Sequence, residues 1–201
     1  MKILTVKWLI VLPIAALAFA GEKDKSNFTP GPVTDYPARQ TIDKVTIAAA
    51  PFNMRADTEK AFGKLDPNQY GVLPVLVVIR NDSNKTLALD RMTVEFMTVD
   101  RERADATPAA DVRYLSGLDL PNKPSKDPMH VSHSKNPLNA WEIEGRAFSA
   151  RMLPPHETAS GFFYFRAPYS SGTLLYLRGL RDAATGVELF YFEIPLDKIG
   201  Q

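Results

Sequence analysis

Leu73-Pro-Val-Leu-Val-Val-Ile-Arg-Asn-Asp-Ser83 is the stretch from which the fold can be read. Seven of its first eight residues are apolar, and the run stops abruptly at Arg80-Asn81-Asp82-Ser83-Asn84. An apolar, β-branched run ending in an Asx/Ser cluster predicts a core strand entering a tight turn. The next apolar runs, Thr86–Leu89 and Met92–Val99, follow at once, so residues 73–99 are expected to form the central hairpin of an all-β domain. Pro74 cannot donate to a ladder, which predicts an edge or bulge at the start of the strand and full pairing only from Val75.

Working outward, the same grammar recurs. Thr41–Ala49 alternates as a first strand ending at Pro51, and Asp57–Lys64 reads as a short helix with Asp57 at its N-cap. Thr107-Pro108 with Asp111 behind it predicts a second short helix up to Leu115. From Ser116 to Asn139 four prolines and no apolar periodicity predict a long loop, which in a compact domain is either functional or disordered. Beyond it Ala147–Leu153, Thr158–Arg166, Thr173–Leu180 and Val187–Ile194 are expected strands, the last two pairing across Arg181–Gly186. The pattern is all-β: an immunoglobulin-like β-sandwich of about seven strands with two short helices.

The N-terminus has a different grammar. Lys2 and Lys7 flank an n-region, Trp8–Leu17 is apolar, and Ala18-Phe19-Ala20 precedes Gly21 as a small-x-small cleavage site. The apolar stretch is roughly thirteen residues, short of the ~20 that span a bilayer, so a signal peptide is favoured over an uncleaved anchor. The expected organisation is therefore signal peptide 1–20, flexible proline-broken linker 21–37 and one domain 38–201. The mature chain is expected in the periplasm or outside the cell, with no integral membrane span.

Removing Lys2 and Lys7 leaves 22 basic against 23 acidic side chains. A near-neutral chain gives no electrostatic reason to expect nucleic acid or an anionic membrane as partner. The absence of cysteine excludes disulfides, a Cys nucleophile, thiolate metal sites and a lipidation cysteine.

Chemistry would have to come from few residues. His130-Val-Ser-His133, beside Asp127 and Met129, has ligands for zinc or copper, but no helix or strand fixes the spacing. A metal-binding protein using His130 and His133 is the alternative to a plain binding module. His156 lies in a proline turn and reads as a turn residue. Gly-x-Ser-x-Gly, HExxH, Walker A and EF-hand patterns are absent, so no catalytic residues and no cofactor are expected. Glu95, Glu188 and Glu193 read as solvent-facing strand positions. Phe162–Phe165 and Phe190–Phe192 read as core, with aromatics on both faces of each strand implying that the two strands are central and covered on both sides, or that one face meets a partner. Asn27, Asn81 and Asn84 head matches to the glycosylation sequon, which matter only in a eukaryotic secretory host.

Three segments carry a resemblance. Gly71–Leu89, Leu153-Pro-Pro-His-Glu-Thr-Ala-Ser-Gly-Phe-Phe-Tyr-Phe165 and Ala106–Val112 resemble bacterial exported immunoglobulin-like domains of a largely uncharacterised envelope group. The resemblance implies a fold and a compartment, and no catalytic residues. The signal peptide, the strand count and the missing catalytic motifs point to a non-enzymatic accessory or binding module whose partner is another envelope protein or a surface polymer. His156 stands where those domains often have glycine, which makes its backbone conformation the thing to inspect.

Overall fold

A computed structural model describes residues 28–115 and 136–197. The strands, in chain order, are β1 (Arg39–Ile42), β2 (Val45–Pro51), β3 (Leu73–Asn81), β4 (Leu87–Ala88), β5 (Thr93–Met97), β6 (Arg103–Asp105), β7 (Met152–Leu153), β8 (Thr158–Phe165), β9 (Leu174–Arg178), β10 (Arg181–Asp182) and β11 (Phe192–Pro195). Three short helices, α1 (Arg55–Phe62), α2 (Ala109–Val112) and α3 (Trp141–Gly145), and two 3-10 turns complete the described elements. Pairing gives three antiparallel sheets, ordered β1-β2-β3-β8, β10-β4-β7 and β11-β9-β5-β6. The chain is mainly β, as expected, but with eleven short strands in three sheets rather than about seven.

The apolar run 73–81 is continuous because β3 is buried on both faces. Val75, Val77 and Ile79 join a first core with Phe96, Leu175, Leu177, Phe192 and Ile194 of the β11-β9-β5-β6 sheet. Leu76 and Val78 point the other way, into a second core with Phe62 of α1, Val112 of α2 and Ile143 of α3. The aromatic strand β8 divides likewise: Phe162 and Tyr164 enter the second core, Phe163 and Phe165 the first. The buried Tyr164 hydroxyl donates to the Ile143 carbonyl at 2.7 Å and fixes α3 over the sheet; burial pushes its pKa up.

Pro74 sits in a central strand, not at an edge. On the β8 side pairing begins at Leu73; on the β2 side it begins at Val75. The missing N–H lies opposite Phe52, whose own N–H donates to Pro74 O at 2.8 Å. The Asn68 side-chain amide donates to Phe52 O at 2.8 Å, in place of the proline. That substitution leaves no orphaned acceptor inside the ladder.

The expected central hairpin is not one. After Asn81 the chain leaves its sheet: β4 pairs with β7 and β10, and β5 with β6 and β9. Asn81 makes that crossover possible. It is fully buried, and its side-chain amide donates to the carbonyls of Lys85 and Pro154 at 2.8 and 3.0 Å and approaches Leu153 O at 3.2 Å. Its Oδ1 accepts from the Ser83 N–H and hydroxyl, and its backbone O from His156 N–H at 2.7 Å. One side chain thus ties the strand end to the crossover and to the β7–β8 turn, and it is engaged in the core rather than presented as a glycosylation acceptor. His156 has φ 61, so the turn does require the left-handed conformation that glycine adopts freely.

Other expectations shift for local reasons. The expected strand 41–49 is the β1–β2 hairpin, turned by Asp43 and Lys44 at φ 50 and 65 without any glycine. Two successive positive φ values are the type I′ geometry that matches strand twist. The first helix starts at Arg55 with Met54 as its N-cap residue, leaving Asp57 inside the first turn. The second helix spans one turn, and α3 was not anticipated. Only Met152–Leu153 of the expected strand 147–153 is strand. Its N-terminal end touches β8 at Ala147–Phe162, an approach allowed because Gly161 has no Cβ, which would lie 2.4 Å from Phe148 Cα. Strands β9 and β11 pair as expected, and Gly186 has φ 72, but residues 181–189 make a separate excursion through β10. From Phe28 onward the expected linker is packed: Phe28 contacts Phe52 and Phe162 at 5.7 Å, and Val33 and Tyr36 lie on the second core. At the far end, Tyr169 and Ser171 hydroxyls and Gly172 N–H all donate to Asp197. Among the described residues no helix is long and apolar enough to cross a membrane.

Candidate functional site

The β1-β2-β3-β8 sheet is covered on both faces. The β11-β9-β5-β6 sheet is not: Val94 and Phe96 face the first core, while Thr93, Glu95 and Met97 point away from it. On this outer face register brings distant residues together. Glu95 lies between Asp105 of β6 and Tyr176 of β9; Arg103 is opposite Met97, and Arg178 opposite Thr93. One arginine therefore stands on each diagonal from Glu95, within reach of a long side chain.

Both reach it. Arg103 Nη1 donates to Glu95 Oε2 at 3.1 Å and Arg178 Nη2 to Oε1 at 3.5 Å. The Glu95 side chain is 9% exposed, against 59% and 56% for the two arginines. Glu95 is thus not the solvent-facing strand residue that alternation predicts; it lies beneath two guanidinium groups. The array continues sideways: Arg103 Cζ lies 5.6 Å from the Tyr176 ring centre, and Tyr176 lies 5.2 Å from Tyr191 with ring planes 32° apart. Tyr191 is half exposed, and Phe190 beside it more so, which corrects their assignment to the core; of that aromatic trio only Phe192 is buried. Each guanidinium has five N–H donors, so one contact to Glu95 leaves most of them facing outward in a fixed orientation. Exposed ion pairs add about 0–1 kcal/mol each, so the arrangement orders the arginines more than it stabilises the sheet.

A second concave region lies at the Asn81 end of the molecule. A groove of about 830 Å³ opens between the β1–β2 turn, the crossover and the 182–190 loop, with Val45 and Leu87 in its wall and exposed Val187 and Phe190 at its rim. Three of the five charged side chains lining it are engaged within the molecule. Lys85 Nζ lies 3.0 Å from Asp182 Oδ2, and Glu188 accepts from Gly179 N–H at 2.8 Å. The bond from Lys85, with N–H donation from Ala184 and Thr185, holds the Asp182 carboxyl below the usual carboxylate range.

Of the residues singled out from sequence, His130 and His133 lie outside the described residues, as do Asp127 and Met129. Among the described residues no group of three or more His, Cys, Asp or Glu side chains stands close enough to hold a metal ion. His156 is an exposed turn residue. The Glu95 cluster has no sequence motif, since Arg103 and Arg178 lie 8 and 83 residues from the carboxylate they share.

No family model and no curated protein matches the chain. Among solved structures, a Bordetella pertussis protein provisionally named ApaA aligns over 81% of this chain and 98% of its own at 12% identity and a TM-score of 0.34. A functionally unknown protein of Listeria monocytogenes EGD-e aligns over 78% of this chain and 79% of its own at 10% identity, also with a TM-score of 0.34. Similarity at this level transfers neither a ligand nor an activity.

Proposed function

We propose that this chain is an exported, immunoglobulin-like, non-enzymatic binding module of the cell envelope, and that it binds through the outer face of the β11-β9-β5-β6 sheet. The observation that carries this is the pair of arginines held over the buried Glu95, on a face where planar side chains gather and whose other outward residues are exposed or half-buried. Tyrosine and arginine are the residues that most often anchor binding surfaces, and groups already held in place lose less entropy when a partner arrives. The signal-peptide pattern of residues 1–20 supports export, and the antiparallel sheets facing each other across one core support the immunoglobulin-like description.

The test is capture from a cell-envelope extract on immobilised mature chain, residues 21–201. The wild type is expected to retain a component, protein or polymer, that an Arg103→Ala/Arg178→Ala variant of equal thermal stability does not. Identical retention by both, or none by either, would remove the sheet face from the account.

A further inference from the structure

The ligand class can be taken further, on the footing that the sheet face is the binding surface. We infer that this face binds a short stretch of uncharged saccharide, as found in a surface polysaccharide, rather than a folded protein or an acidic polymer.

Size is the first consideration. Four strands of three to five residues, rising about 3.4 Å per residue and about 4.8 Å apart, present a face of about 300 Å². A stable protein–protein interface takes about 800 Å² from each partner, well beyond this patch. A few linked sugars need no more than such a strip.

Charge is the second. Arg103 and Arg178 share the face with Glu95, Asp105 and Glu193, since Asp105 is opposite Glu95 and Glu193 opposite Tyr176. Two positive charges against three negative ones give no net attraction for a polyanion. They do give donors and acceptors side by side, which is what a hydroxyl-rich ligand requires. The guanidinium groups supply fixed N–H donors and the exposed Asp105 and Glu193 carboxylates supply acceptors.

The aromatic pair is the third. Tyr191 is 51% exposed and braced by Tyr176, which Arg103 braces in turn. A rigid ring with an apolar body and a polar tip can take the C–H face of a sugar while its hydroxyl stays hydrated. No residue of β5, β6, β9 or β11 is lysine, so the charged groups bordering the rings are planar or short rather than long and mobile.

The experiment uses residues 21–201 and three neutral trisaccharides, cellotriose, maltotriose and the N-acetylglucosamine trimer, with polygalacturonate and heparin as acidic comparators, titrated by calorimetry. At least one neutral trisaccharide is expected to bind, and Tyr191→Ala to weaken it about tenfold, the loss of one aromatic anchor. Glu95→Gln, which keeps the shape but loosens both arginines, is expected to weaken it by a smaller factor; Val187→Ala, at the rim of the groove, is expected to leave it unchanged. Preference for the acidic polymers, with affinity falling steeply in salt, would overturn the inference. So would a protein retained from envelope extract in an Arg103- and Arg178-dependent way with no trisaccharide binding at millimolar concentration, although the sheet face would then remain the binding surface. Saccharide binding that Val187→Ala abolishes and Tyr191→Ala does not would overturn both.

Discussion

The two four-stranded sheets each contain a buried polar residue, Asn81 at the end of β3 and Glu95 in the middle of β5, and the two are used in opposite ways. In the β1-β2-β3-β8 sheet, Asn81 gives every hydrogen-bonding atom of its side chain to neighbouring backbone and to Ser83. In the β11-β9-β5-β6 sheet, Glu95 gives both oxygens to arginines whose other ends stand in solvent. The first closes a structure; the second presents one. A buried polar group that ends on backbone marks architecture, whereas one that ends on exposed cations marks a surface prepared for something else.

The contrast can be broken most severely at Asn81. Asn81→Ala leaves several buried carbonyls and an N–H unpaired, and is expected to lower unfolding free energy by about 3 kcal/mol in urea. A loss below about 1 kcal/mol would mean that water replaces the side chain and that the crossover does not depend on it. Gly161→Ala comes next. Its Cβ would strike the Phe148 backbone, separating Ala147–Phe148 from β8 at an expected cost of about 2 kcal/mol, and an unchanged thermal midpoint would show that this approach is incidental. Glu95→Ala, in contrast, should cost at most about 1 kcal/mol, because its partners return to water when released. A loss as large as that of Asn81→Ala would erase the distinction between the two residues.

Two smaller effects concern the turns at the strand ends, one in each sheet. His156→Gly should raise stability by about 0.5–1 kcal/mol, relieving a left-handed residue while keeping its N–H bond to Asn81; a decrease would mean that the imidazole has a role of its own. Hydrogen bonds from Tyr169, Gly172 and Ser171 hold the Asp197 carboxyl below its ordinary 3.8. A depressed carboxylate contributes stability above its unfolded pKa and loses it as pH falls through the folded one. The stability difference between wild type and Asp197→Asn should therefore narrow as pH drops below 3.8, and a difference independent of pH would refute the latch.

How much of this was legible in the chain follows from where the information sits. The β3 and β8 runs announce burial through their own residues, and β8 is covered on both faces as its aromatics imply. The expectation that the two aromatic strands are central does not hold, since β8 and β11 are edge strands, buried by packing across the layers rather than by strands on both sides. The same pattern misled at Phe190 and Tyr191, since alternation tells which face a residue takes and not what covers it. Asp43-Lys44 hid a hairpin because neither residue is the glycine that such turns advertise. Alternation makes Glu95 solvent-facing, which it is not: its burial is supplied by arginines on β6 and β9, and register between strands is not written in any one of them. Asn81 was visible as the end of a strand; its three-way tie required the β7–β8 turn to arrive beside it.

Chemical-shift mapping on 15N-labelled residues 21–201, titrated with a bound trisaccharide or with the component retained from envelope extract, tests the central claim most directly. The account predicts that the largest changes fall on Glu95, Arg103, Tyr176, Arg178 and Tyr191. Changes concentrated instead at Lys44, Lys85 and Val187 would place binding in the groove and contradict it.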